Sequence, residues 1–275
     1  VGTSGTSTSF GVVENNFLGK AIKLNSNLTV SEESIKGLFS YTKPKYNNSD
    51  KDLTLSFQAQ ETDRMTDFGY KSNDTGFSVG TNFEYLEDLY FAPSFLINHE
   101  TLSTASTASS LLKKQEGSYF DTSFTYSFSY DKRNQTYKPT SGFLSRFNQS
   151  LPIVSDGSPI LNGYELNTYR EVADDTVVSL SIYGRAINSL SDDDVRISKR
   201  AQMPYSKLRG FEKGKIGPVE NNDYIGGNYV SALNLSSNLP GLFQTVENID
   251  FSYFIDVGNV WGVDYDSSLD ASDTI

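Results

Sequence analysis

The stretch Tyr119–Asp131, YFDTSFTYSFSYD, alternates without a break. Even positions carry Phe120, Thr122, Phe124, Tyr126, Phe128 and Tyr130. Odd positions carry Asp121, Ser123, Thr125, Ser127, Ser129 and Asp131. Successive side chains of a strand point to opposite faces, so this segment is a strand with one aromatic and one polar face. Period two recurs through the chain, and helical spacing is nearly absent. Leu53, Leu55, Phe57 and Ala59 oppose Thr54, Ser56, Gln58 and Gln60. Ile22, Leu24, Leu28 and Val30 oppose Lys23, Asn25, Asn27 and Thr29. Phe251, Tyr253, Ile255 and Val257 oppose Asp250, Ser252, Asp256 and Gly258. The pattern predicts strands over 6–14, 21–30, 34–43, 52–63, 75–85, 89–101, 118–131, 142–151, 160–171, 176–189, 227–239 and 248–261.

Two all-β architectures fit such strands. In a sandwich the apolar faces pack on a second sheet; in a membrane barrel they meet lipid and the polar faces line a lumen. Strand number and length favour the barrel, as do the Tyr and Phe residues near strand ends. So does the contrast between short connectors at 16–20 and 86–88 and long ones at 103–117 and 191–226. On the barrel reading Phe120, Phe124, Phe128 and Tyr130 face outward, while Ser123, Thr125 and Ser127 line the inside. The composition of the 275 residues narrows the chemistry. No Cys is present, which removes disulfides, thiolate metal sites and Cys nucleophiles. A single His removes multi-His metal sites, and a net charge of −11 argues against nucleic acid as a partner. No cofactor is implied. The first residue is Val1 rather than Met, so the chain reads as a piece of something longer.

Residues 204–228, PYSKLRGFEKGKIGPVENNDYIGGN, are too long for a hairpin turn, and loops of this length are usually functional or disordered. Elsewhere the chemistry-bearing residues have plainer readings. His99 beside Glu100 lacks a nucleophile or paired base and reads as a loop or interface residue. Asp192, Asp193 and Asp194 read as a solvated acidic loop, because no bounded ligand set surrounds them.

Leu208-Arg209-Gly210-Phe211 resembles the (V/I/L)-R-G-(F/Y) signature of the bacterial outer-membrane β-barrel insertase family, also called the surface antigen family. Ile216-Gly217-Pro218 is similar to the IGP that follows it there, and Gly226-Gly227-Asn228 to the GGN that opens the next strand. Residues 254–261, FIDVGNVW, resemble the family's F-x-D-x-G-x-V-W strand. Asn15–Lys20, Tyr41–Pro44 and Pro139–Gly142 echo three of its turns, in family order.

The resemblance implies a transmembrane antiparallel β-barrel of about sixteen strands, preceded by periplasmic POTRA domains. Residues 1–275 would be a partial barrel, from the end of the first strand at Val1–Thr3 to the start of the fourteenth at Ile275, without POTRA domains or the final strands. About twelve strands would be present, leaving an open-edged sheet. The implied activity is non-enzymatic assembly and insertion of β-barrel proteins into the outer membrane. Its partners would be unfolded clients, accessory lipoproteins and outer-membrane lipid. Sibling barrels for autotransporter assembly or two-partner secretion share R-G-(F/Y), and a passive porin is the alternative of another class. The family's arginine loop folds into the lumen, which places Arg209 against the wall residue Asp256. The family's second wall acid falls at Ser236, which carries no charge.

Overall fold

The computed structural model describes residues 6–157, 159–190, 194–239 and 251–263. The expected chain ends at Val1–Thr3 and Ile275, strand residues 248–250, and Asp192 and Asp193 lie outside them. Ten strands come first: β1 (Ser7–Phe17), β2 (Ile22–Ser31), β3 (Ser34–Lys43), β4 (Asp52–Arg64), β5 (Tyr70–Leu86), β6 (Leu89–Thr104), β7 (Gly117–Asp131), β8 (Ser141–Ser155), β9 (Ile160–Ala173) and β10 (Thr176–Asn188). A small hairpin, β11 (Val219–Glu220) and β12 (Asp223–Tyr224), lies in the next connector. β13 (Tyr229–Leu239) and β14 (Phe251–Trp261) follow it. One helical turn, α1 (Ser110–Lys113), sits between β6 and β7. All except β11 and β12 join one twelve-stranded antiparallel sheet in chain order. The sheet is open, with β1 and β14 at its edges.

Several strands run further than their alternation foretells, β5 and β8 the most. β5 begins at Tyr70 rather than 75, because Lys71, Ser72, Asn73 and Asp74 put polar groups on both faces. β8 passes Pro152 through a bulge: Ser123 pairs with Pro152 and Thr122 with Val154, leaving Ile153 as the extra residue. A bulge is one of the few places a sheet accepts proline.

The two faces divide as the alternation requires. Phe39, Phe57, Phe77, Phe95 and Phe120 stay exposed on the outer face. Aromatic rings meet across neighbouring strands there, Phe91 on Phe128 at 4.7 Å and Phe95 on Phe124 at 5.1 Å. Such cross-strand pairs each add roughly 0.2–1 kcal/mol and fix the register. On the other face Thr125 and Ser123 line two cavities, of about 220 and 160 Å³. That face is the lumen side, because the 189–228 connector lies over it. The rims are less regular than expected. The connectors at 105–116 and 189–228 share a rim with a two-residue turn at 32–33, and the opposite rim carries 44–51 and 132–140.

Among the described residues, buried apolar side chains do not form a layer between sheets. They gather where the long connector meets the lumen wall, in two clusters. One joins Ile187, Val230, Ala232 and Val260 of β10, β13 and β14 to Val195, Met203, Leu208 and Ile216 of the loop. The other joins Tyr70 and Leu102 of β5 and β6 to Phe68, Leu112, Ile197 and Ile225. The loop contributes to both, so it straps two parts of the wall together.

Candidate functional site

Residues Tyr205–Lys207 form a 3-10 turn that delivers the chain to Leu208 and Arg209. Leu208 is buried in the first apolar cluster and Phe211 packs against it, which fixes the backbone on either side of the arginine. Between them Gly210 adopts φ +89°, a conformation that costs an L side chain roughly 1–2 kcal/mol. An added Cβ there would meet nothing within 4 Å, so the turn alone asks for glycine.

Arg209 reaches the wall of β14 as a fork. Its Nε donates to Asp256 Oδ2 at 2.7 Å and its Nη2 to Oδ1 at 2.6 Å. The backbone N–H of Arg209 donates to the same Oδ2 at 3.0 Å. Two parallel charge-assisted bonds fix the guanidinium plane as well as its position. The guanidinium also lies 3.5 Å from the ring centre of Phe254, which alternation puts on the same face as Asp256. The Asp256 side chain is 3% exposed and that of Arg209 33%. The carboxylate hydrogen bonds raise the arginine's pKa further, so it keeps its charge.

The neighbouring strand completes the cradle. Asn234 stands opposite Asp256 across β13 and β14. Its Nδ2 donates to Asp256 Oδ1 at 2.9 Å and to the Lys207 carbonyl at 2.7 Å, tying wall carboxylate and loop backbone together. Ser236 stands opposite Phe254, and its hydroxyl lies 2.7 Å from that of Ser179. Lys207 crosses to β9 and β10, donating to Glu165 at 2.6 Å and to Ser181 at 3.0 Å. Farther along, Ile216 is buried in the first cluster, and Gly217 turns with φ +107° against Val260. A Cβ on Gly217 would come 2.8 Å from that of Val260. The Pro218 carbonyl accepts the Ile225 N–H at 3.1 Å.

The structure therefore gathers Leu208, Arg209, Gly210, Phe211, Ile216, Gly217, Pro218 and Asp256 along one loop-to-wall contact. Phe254, Asn234, Lys207 and Glu165 belong to it as well. Of these only Phe254 leaves a trace in the sequence, as an aromatic on an otherwise polar face beside Ser252 and Asp256. His99 lies within β6 with its side chain on the exposed outer face, paired with Thr75 and Phe120. Among the described residues no group of three or more His, Cys, Asp or Glu could hold a metal ion.

An antiparallel barrel wall with an apolar outer face, and a lumen loop pinned by an R-G-F arginine to a wall aspartate, defines the class. A family model described as the Omp85 superfamily domain matches residues 16–274, and the chain belongs to that superfamily. The sorting and assembly machinery component 50 homolog A of Xenopus laevis is 25% identical over 280 residues, covering 96% of this chain and 58% of that protein. The outer membrane protein assembly factor BamA of Nitratidesulfovibrio vulgaris is 24% identical over 276 residues, covering 98% of this chain and 33% of that protein. The crystal structure of BamA from Haemophilus ducreyi lacking POTRA domains 1–3 superposes with a TM-score of 0.83 at 22% identity, over 94% of this chain and 56% of that one. The chain thus spans little more than half the length of the frog relative.

Proposed function

We propose that this chain is barrel wall and lumen loop of a protein that assembles and inserts β-barrel proteins in the bacterial outer membrane, without covalent catalysis. Its partners are unfolded barrel clients, accessory lipoproteins and the surrounding lipid. The physical task is to keep backbone polar groups paired while strands enter hydrocarbon, where each unpaired group costs several kcal/mol. A barrel wall meets that need by lending strand edges to a client. The observation that carries the reading is the Arg209–Asp256 fork. It supports an R-G-F loop built to dock on the lumen wall, which a passive porin would not need. Membership of a superfamily with relatives named for barrel assembly and for sorting and assembly supports the same reading.

Depletion of the protein in its own cells tests it. Many unrelated outer-membrane barrels are expected to fall together while their transcripts persist. Normal levels of those barrels, with loss confined to one secreted client or to permeability, would favour a secretion barrel or a porin instead.

A further inference from the structure

We infer that Arg196 and Lys199 are positioning residues that form a second, dry seat for the lumen loop, and that this seat keeps the loop's root in place when the Arg209 arm leaves Asp256. The consequence for assembly rests on the function proposed above; the seat itself does not.

The second seat lies on β5, β6 and β7, away from β14. Arg196 Nη2 donates to Asp121 Oδ2 at 2.5 Å, and the guanidinium lies 4.1 Å from the ring centre of Tyr119. Lys199 Nζ lies 2.9 Å from Glu100 Oε2 and 3.5 Å from Asp74 Oδ1. Between these cations Ile197 enters the second apolar cluster, and its N–H donates to Gln115 Oε1 at 2.8 Å. Side-chain exposure is 4% for Arg196 and 0% for Glu100, rising to 21% for Lys199 and 24% for Asp74 at the rim of the seat. An ionised carboxylate so deeply enclosed needs a cation beside it, and the loop supplies that cation. Glu100 and Asp121 thus make the wall ready for this part of the loop.

A backbone neck divides the loop into root and arm, although Val195 of the root also packs in the first apolar cluster and Ile225 of the arm in the second. Ala201 N–H donates to the Gly227 carbonyl at 2.7 Å, and Gly227 N–H donates back to Ala201 at 3.0 Å. This neck leaves 194–201 on the dry seat and projects 202–226 as the arm. Parting the seat would separate Arg196 from Asp121 and leave Glu100, fully enclosed, without the loop's cation, which holds it closed. The Arg209 side of the fork is one-third exposed, so water can take over the guanidinium's hydrogen bonds as it parts from the enclosed Asp256, and Gly210 beside it faces open space.

Hydrogen exchange followed by mass spectrometry on the native protein in lipid nanodiscs tests this. Peptides spanning 194–201 and 205–214 report root and arm separately. Arg209→Ala is expected to speed exchange at 205–214 by about tenfold or more while 194–201 stays within about twofold. Lys199→Gln is expected to expose 194–201, and Lys199→Arg to restore it, because charge at that point is what the seat requires. Heat-modifiable gel migration checks that each variant is folded. Should Lys199→Gln not fold, the Arg209→Ala comparison alone decides. Equal loss of protection in both segments on Arg209→Ala would overturn the two-seat arrangement. So would full protection of 194–201 in folded Lys199→Gln. A two-rate pattern in a protein whose depletion spares other barrels would leave the seat standing and remove the function.

Discussion

Arg196 and Arg209 belong to one loop, and water reaches only one of them. Arg196 meets Asp121 with its side chain only 4% exposed, against the ring of Tyr119 and beside the second apolar cluster. Arg209 meets Asp256 in better geometry, with two side-chain bonds and one backbone bond, yet its guanidinium remains one-third exposed. Geometry and permanence are therefore separate properties. The planar fork specifies where the loop tip goes, and dryness decides how firmly a segment is held. Exposed pairs contribute about 0–1 kcal/mol, whereas removing one partner of a buried pair costs roughly 3–5 kcal/mol.

The largest expected effect follows from that contrast. Arg196→Met removes the cation and leaves Asp121 without its 2.5 Å partner. It is expected to destabilise the folded barrel by about 3–5 kcal/mol, read as a lower temperature of unfolding by heat-modifiable migration. Pairing it with Asp121→Asn is expected to recover part of the loss, because the stranded charge goes too.

Gly217 and Gly210 sharpen the comparison within the arm itself. Both have positive φ, but only Gly217 faces a close neighbour, Val260. Gly217→Ala is expected to cost about 2–3 kcal/mol and to loosen the packing of Ile216. Gly210→Ala meets only the backbone penalty, about 1–2 kcal/mol. Equal effects from the two in the same unfolding measurement would mean that the wall contact at Val260 carries little.

Arg209→Ala is expected to be the mildest for stability, about 1 kcal/mol, with a slower client-assembly rate and an intact barrel. Arg209→Lys is expected to restore that rate only partly. A point charge loses the fork on Asp256 and the flat contact with Phe254. A Lys variant indistinguishable from the parent in reconstituted assembly would show that charge alone matters there.

Most of the wall was legible because lipid and lumen impose opposite demands on alternate residues. Phe124 and Thr125 could hardly be read otherwise, and each expected strand has its counterpart. Legibility failed where that contrast fades. Residues 71–74 are polar on both faces, and Ile153 is a bulge that breaks the count of two. The Arg209–Asp256 meeting followed from a motif, since alternation gives only the side on which Asp256 lies. The dry seat had no such signal. Glu100 drew notice only as a neighbour of His99, and its lumen-side pairing with Lys199 spans 99 positions of chain that no local pattern connects. Neither its lumen-side facing nor its burial under the loop was read from the sequence.

The most direct measurement is cross-linking inside the native membrane. This chain has no cysteine, so thiols introduced by Lys207→Cys and Ser181→Cys have no competitor within it, and they leave the Arg209–Asp256 fork intact. Position 182 is the natural control, because Ile182 is 37% exposed on the opposite face of the same strand. A docked loop is expected to link 207 to 181 in most molecules under a short thiol-specific reagent, to leave 207 and 182 unlinked, and to lose much of the 207–181 link when Arg209→Ala is added. Failure to link at 181, equal linking at both positions, or an undiminished link in Arg209→Ala would contradict a loop pinned inside the lumen by Arg209.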